Sequence, residues 1–210
     1  MDKYIIANWK MNNDFSDIEP YVDYLKENLE NKNNVVACVP YVMVKTFADT
    51  AAGIIETGAE NCYFAEKGAY TGEISVNMLK NAGASYVIIG HSERRQIFGE
   101  TNELISKKVA AALAGGLKVV FCIGETLEQK DEFETVLEKQ IVEGLAGISD
   151  FSNVIVAYEP VWLLAQVKLQ LLKTLRKFMH ILRQFLLKNL VFNFQFFMVE
   201  VLNQKIVQKF

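Results

Sequence analysis

YVIIGHSERR, residues 86–95, places an apolar run, a glycine and then a cluster of polar and charged side chains within ten positions. The run 86–90 (YVIIG) has the length of a strand and is nearly continuous in Ile and Val. That is the pattern of a parallel strand buried on both faces, not of one with a solvated side. The same pattern recurs at 4–9 (YIIANW), 34–39 (VVACVP), 117–123 (LKVVFCI) and 154–158 (VIVAY), with a weaker run near 55–63. Helical periodicity lies between these runs. Residues 15–31 carry an apolar stripe at Ile18, Tyr21, Val22, Leu25 and Leu29, and 101–114 and 131–146 read the same way. Thr101 with Leu104 following, and Thr126 with Gln129 three residues on, have the pattern of helix starts. The chain thus reads as six βα units at a spacing near 30 residues.

Strands alternating with helices predict an α/β fold with a parallel sheet. An open doubly wound sheet and a closed (βα)₈ barrel both satisfy that pattern. No G-x-G-x-x-G follows the first strand, which removes support for the dinucleotide-binding open sheet. Barrel chemistry gathers at the C-terminal ends of the strands, and the polar residues of this chain fall there.

Bulk composition narrows the function classes. The 210 residues are 51% hydrophobic with a net charge of −3, so nothing favours a nucleic-acid partner. Cys38, Cys62 and Cys122 are odd in number, far apart and free of any Cys-x-x-Cys pair, as expected for reduced thiols in a cytoplasmic protein and not for a disulfide or metal framework. The start, MDKYIIANWK, lacks the basic and long apolar segments of a secretory signal. No run reaches the ~18 apolar residues that a membrane span needs.

Three strand ends carry candidate chemistry. The first closes in Asn8-Trp9-Lys10, where a Lys either finds a counter-charge or faces a polar cavity; the plainer alternative is a surface cation. The fourth closes in Gly90-His91, one of only two histidines in the chain; the alternative is a ring satisfied locally beside an Arg–Glu network. The sixth closes in Tyr158-Glu159-Pro160. Burial there is expected to raise the Glu159 pKa and suit it to act as a base, unless it pairs with Arg94 or Lys10. Together, Asn8, Lys10, His91 and Glu159 would put a base, an electrophile and a cation on one rim, the set wanted for proton abstraction beside a carbonyl.

ANWKMN at 7–12, AEKGAYTGEIS at 65–75, GHSERR at 90–95, CIGET at 122–126 and AYEPVW at 157–162 resemble, in order and spacing, the triosephosphate isomerase family. The resemblance implies a TIM (β/α)₈ barrel, a cytoplasmic homodimer of glycolysis and gluconeogenesis, and cofactor-free interconversion of dihydroxyacetone phosphate and D-glyceraldehyde 3-phosphate. It implies that Glu159 removes the carbon-bound proton and that His91, as neutral imidazole, polarises the carbonyl. It implies that Lys10 holds the substrate's charge and Asn8 orients its oxygens. The loop 65–75, with Thr71 and Gly72 near its tip, resembles the one that reaches into a partner subunit; its plainer reading is a surface turn.

After Trp162 the resemblance ends. Residues 163–210 contain no Gly, no Pro and one acid against eight Lys or Arg. The family's glycine-rich lid and its Tyr-Gly-Gly-Ser segment are missing, and glycines there expose backbone N–H groups to phosphate. A change of reading frame accounts for this. Leu163 to Lys168 can be encoded CTA TTG GCA CAG GTA AAA, and one added G makes those bases read Ala-Ile-Gly-Thr-Gly-Lys. At the same offset, Gln195 to Gln204, which can be encoded CAA TTT TTT ATG GTG GAA GTG TTA AAC CAG, yield Ile-Phe-Tyr-Gly-Gly-Ser-Val-Lys-Pro. The expectation is therefore six βα units over 1–162 and a frame-shifted tail over 163–210, leaving two unpaired strand edges, an unstable chain and background activity. The competing reading is an inactive barrel fragment with a basic amphipathic helix, Leu163, Val167, Leu171, Leu175 and Met179 on one face, that binds a membrane or a partner protein.

Overall fold

The computed structural model describes residues 4–29 and 34–159, and the backbone of 195–197. The junction at Trp162, the proposed tail helix and nearly all of 163–210 lie outside the described residues.

Among the described residues, seven strands form one parallel sheet in sequential order, with six α-helices between them: β1 (Ile5–Asn8), β2 (Val35–Val39), β3 (Glu56–Ala59), β4 (Tyr86–Ile89), β5 (Lys118–Ile123), β6 (Val154–Tyr158) and β7 (Gln195–Phe197). The helices are α1 (Ile18–Asn28), α2 (Val44–Thr50), α3 (Val76–Asn81), α4 (Ser92–Gln96), α5 (Asn102–Ala114) and α6 (Phe133–Gly144). All six strand runs of the sequence are present. The long helical patterns appear as α1, α5 and α6; the short α2, α3 and α4 carry too few turns to show a period and were not placed from the sequence.

Alternate residues of β2, β4, β5 and β6 enter two separate cores. Val87 and Ile89 of β4, with Val119, Phe121 and Ile123 of β5, pack outward on the helices. Tyr86, Ile88, Val120 and Cys122 pack inward with Ile6, Val36, Cys38, Ile155 and Ala157. A strand that must be apolar on both sides leaves polar residues only at its ends, which is why chemistry collects there. Both faces being filled, with consecutive strands adjacent, is the α/β arrangement of a TIM-type barrel, incomplete over the described residues.

Local capping agrees with one expected helix start and corrects the other. The Thr101 hydroxyl accepts from the Leu104 N–H and caps α5. The Gln129 side chain accepts from the Thr126 N–H at 3.1 Å, but α6 begins only at Phe133. That pair closes a turn, because the 3₁₀ segment Lys130–Glu132 intervenes. The expected free edge at β6 is also corrected. Ile155, Val156 and Ala157 pair in parallel with Gln195, Phe196 and Phe197. Ladder bonds need only an extended backbone, which these three tail residues supply.

A buried ionic cluster ties the exit of β3 to α4 and α5. Lys108, 2% exposed, donates to Glu100 Oε1 at 2.6 Å and to Asn61 Oδ1 at 3.0 Å. Arg94 shares the same Glu100 carboxylate and stacks over Phe98. Arg94 therefore does not pair with Glu159. Among the described residues, no helix is long and apolar enough to cross a membrane, and no group of three His, Cys, Asp or Glu side chains could hold a metal. Cys38, Cys62 and Cys122 are buried free thiols; burial pushes Cys62 up to about 12, and Cys38 and Cys122 up as well.

Candidate active site

Gly90 turns the chain off β4 at φ +78°, a conformation side chains rarely adopt. His91 follows at the first turn of α4, and its Nδ1 accepts from the Glu93 N–H at 3.2 Å. An accepting Nδ1 puts the proton of a neutral ring on Nε2. That nitrogen lies 3.2 Å from Glu159 Oε1, but off the line of a hydrogen bond, so the contact is electrostatic. Both side chains are almost wholly buried, at 5% and 3% exposure.

Glu159 extends β6 by one residue, its N–H donating to the Ile123 carbonyl at 2.8 Å. Its second oxygen accepts from the Ser92 N–H at 3.3 Å. The expectation of a raised pKa is overturned. Burial is the largest single influence and does push it up, but His91, the Ser92 N–H and Lys10 together hold it below the usual carboxylate range. A buried carboxylate that stays ionised is nevertheless what a base requires.

Lys10 leaves β1 in the left-handed region, at φ +52°. The Asn8 carboxamide oxygen accepts from the Lys10 N–H at 3.1 Å and steadies that turn. Lys10 Nζ then meets Glu93 Oε1 at 2.7 Å. The four rim residues are thus joined in one chain of contacts: Asn8 to Lys10, Lys10 to Glu93, Glu93 to His91 and His91 to Glu159. The sequence did not single out Glu93 as the counter-charge, because Lys10 and Glu93 are 83 residues apart.

Glu60 was also missed, although a charged residue directly after β3 obeys the rule that found Glu159. Burial pushes it up to about 8, opposed by the Lys10 N–H, and its Oε1 is buried with no hydrogen-bond partner among the described residues. Its folded value lies above the ordinary 4.5, so the folded chain keeps a proton that the unfolded chain releases. Stability therefore falls as pH rises from about 4.5 through 8. Glu60→Gln is expected to stabilise by about 2 kcal/mol at pH 8, after allowance for partial solvent screening, and by little near pH 4.5. Denaturant midpoints at both pH values check this; equal shifts at the two would contradict the linkage.

The loop 65–75 projects from the rim. Its base is closed by the Tyr63 N–H donating to the Ile74 carbonyl at 2.8 Å, and Tyr63 stacks on Tyr70. Thr71 and Gly72 are exposed at the tip. A cavity of about 360 Å³, lined by Ser92, Arg95, Glu100, Gly124 and Gln140 among others, lies beside the His91–Glu159 pair and does not include it.

A parallel TIM-type sheet with His, Glu, Lys and Asn gathered at its C-terminal ends defines the class of barrel enzymes that work through side-chain acids and bases. Comparison with known proteins is specific. The profile of the triosephosphate isomerase family matches residues 3–194. The triosephosphate isomerase of Geotalea uraniireducens is 46% identical over 170 residues, covering 77% of this chain and 68% of that protein. That of Chlorobium chlorochromatii is 45% identical over 166 residues, covering 76% and 66%. The crystal structure of triosephosphate isomerase from Bartonella henselae superposes with a TM-score of 0.71 at 38% identity, over 77% of this chain and 68% of that one. The chain belongs to the triosephosphate isomerase family and spans about two thirds of the length of these relatives.

Proposed function

We propose that this chain carries the acid–base rim of an isomerase that interconverts dihydroxyacetone phosphate and D-glyceraldehyde 3-phosphate. The observation that carries the reading is the buried, ionised Glu159 carboxylate held 3.2 Å from His91 Nε2. Glu159 takes a proton from C1 of the ketone, and the C–H electron pair becomes the C1–C2 double bond. The carbonyl pair moves to O2, toward the Nε2 proton of His91, giving an enediolate. His91 moves the hydroxyl proton from O1 to O2, and returning the carbon proton to C2 then gives the aldehyde, with no net redox change and no cofactor. Lys10 supplies positive charge for the substrate, and Asn8 acts at the Lys10 turn and on substrate oxygens. The same reading makes the protein a cytoplasmic homodimer in which the exposed loop tip at Thr71 and Gly72 enters the partner.

The frame change after Trp162 belongs to this proposal. The pairwise matches cover the share of the chain that residues 1–162 make up. In addition, β7 falls on 195–197, where codons compatible with the chain would read Ile-Phe-Tyr in the offset frame. Two measurements test the reading. The nucleotide sequence across the Trp162 codon should open, one base out of register, into the Gly-Thr-Gly-Lys and Tyr-Gly-Gly-Ser segments; an offset frame containing neither ends the frame proposal. Dihydroxyacetone phosphate in deuterium oxide should gain deuterium at carbon in the presence of the frame-restored protein. No exchange would end the isomerase proposal.

A further inference from the structure

Gly124, the residue after β5, is gripped by a single side chain from α6. Its N–H donates to Gln140 Oε1 at 2.8 Å, and its carbonyl accepts from Gln140 Nε2 at 2.9 Å. Gln140 is only 9% exposed, and its carboxamide satisfies both backbone groups of one residue. The opposite side of Gly124 rests on Glu159. A Cβ built there would lie 1.8 Å from the Glu159 carbonyl oxygen and 2.7 Å from its carbonyl carbon, so no other residue fits. The Glu159 N–H is meanwhile tied to the neighbouring Ile123 carbonyl. The main chain of Glu159 is therefore seated on the one residue whose backbone Gln140 holds.

We infer that Gln140 is a positioning residue, which fixes the Gly124 peptide and through it the place of the Glu159 carboxylate against His91 and the Ser92 N–H. Glycine has the widest conformational freedom of any residue, and nothing in its own side chain can hold this peptide. The two-point grip removes that freedom at the place where a small shift would open the 3.2 Å approach to His91 and the 3.3 Å bond to Ser92. Gln140 touches neither His91 nor Glu159 through its side-chain hydrogen bonds; it acts through Gly124. The inference rests on the reading of Glu159 as the base. Its test therefore follows the carboxylate itself and not turnover, so that either reading can fail alone.

The test uses the full chain with labelled amides and Glu carboxyls, comparing Gln140→Leu and Gln140→Glu with the unaltered protein. Ile141→Val, a core change on the same helix, is the control for general loosening. In Gln140→Leu the Gly124 and Ser92 amides are expected to exchange about 10-fold faster, with Val87 and Val119 unchanged. The Glu159 titration midpoint is expected to rise by about one pH unit, because burial remains while its partners withdraw. Gln140→Glu retains a donor only while its carboxyl is protonated, so it should resemble the unaltered chain at acid pH and Gln140→Leu at higher pH. This variant also decides the matter if Gln140→Leu does not fold. Faster exchange at Gly124 with Ser92 and the Glu159 midpoint unmoved would overturn the inference, as would the same changes in Ile141→Val.

Discussion

Restoring one base after the Trp162 codon is expected to raise isomerase turnover by at least about 10⁴-fold, since each lost backbone donor to a reacting or anionic group costs about 10²–10³. Residues 163–210 contain no glycine, so the close backbone approach to a phosphate that the family's lid and Gly-Gly-Ser segments provide has no equivalent in this tail. The rim is otherwise assembled: Lys10, Glu93, His91 and Glu159 are in contact without any residue beyond 159. The difference should accordingly appear in handling of the phosphate and closure over it, not in the acid–base pair. Both versions, expressed alike and assayed for glyceraldehyde 3-phosphate formation, check this. Turnover of the unaltered chain within about tenfold of the restored one would sink the prediction. The unaltered chain is also expected to melt at a lower temperature and less cooperatively than the restored one. Among the described residues, three cover the edge of β6 and β1 has no second neighbour.

In the frame-restored protein, Glu159→Gln is expected to lower kcat by about 10³-fold with KM little changed. The amide keeps the size and the bond from Ser92 but cannot take a proton from carbon. The pH dependence follows from the direction of the shift. The folded carboxyl titrates below the usual 4.5, so Glu159 remains ionised in the folded chain at pH 4.5 and the acid limb of the rate profile falls below that value. The stability it contributes is present above the unfolded value and lost as pH falls through the depressed folded one. The Gln variant should lose that acid-side dependence of stability. An acid limb near pH 6 would show that another group is the base.

Much of the fold was legible because it is written in local patterns. The apolar runs at 86–90, 117–123 and 154–158 became β4, β5 and β6, since a strand buried on both faces can hide nowhere in a sequence. The same constraint pushed Asn8, Lys10, His91 and Glu159 to strand ends, where they were found. Thr101 was read correctly as a cap because its partner is three residues away. Thr126 was not, because a hydrogen bond across a turn and one that opens a helix share the same spacing.

What the chain order alone determined, then, was which residues are strands, which ends are polar and which family's motifs they carry, all of them properties of neighbours within a few positions. Only the tertiary structure decided the company each rim residue keeps. Glu93 meets Lys10 across 83 residues, the Ser92 N–H reaches Glu159 across 67, and Gln140 returns 16 residues to hold Gly124. His91, the Ser92 N–H and Lys10, brought up to Glu159 by the fold, reversed the expected direction of its shift. Burial is a one-body effect that a sequence can suggest, whereas the charges and N–H groups that outweigh it act over a few ångströms and exist only once the strands are side by side.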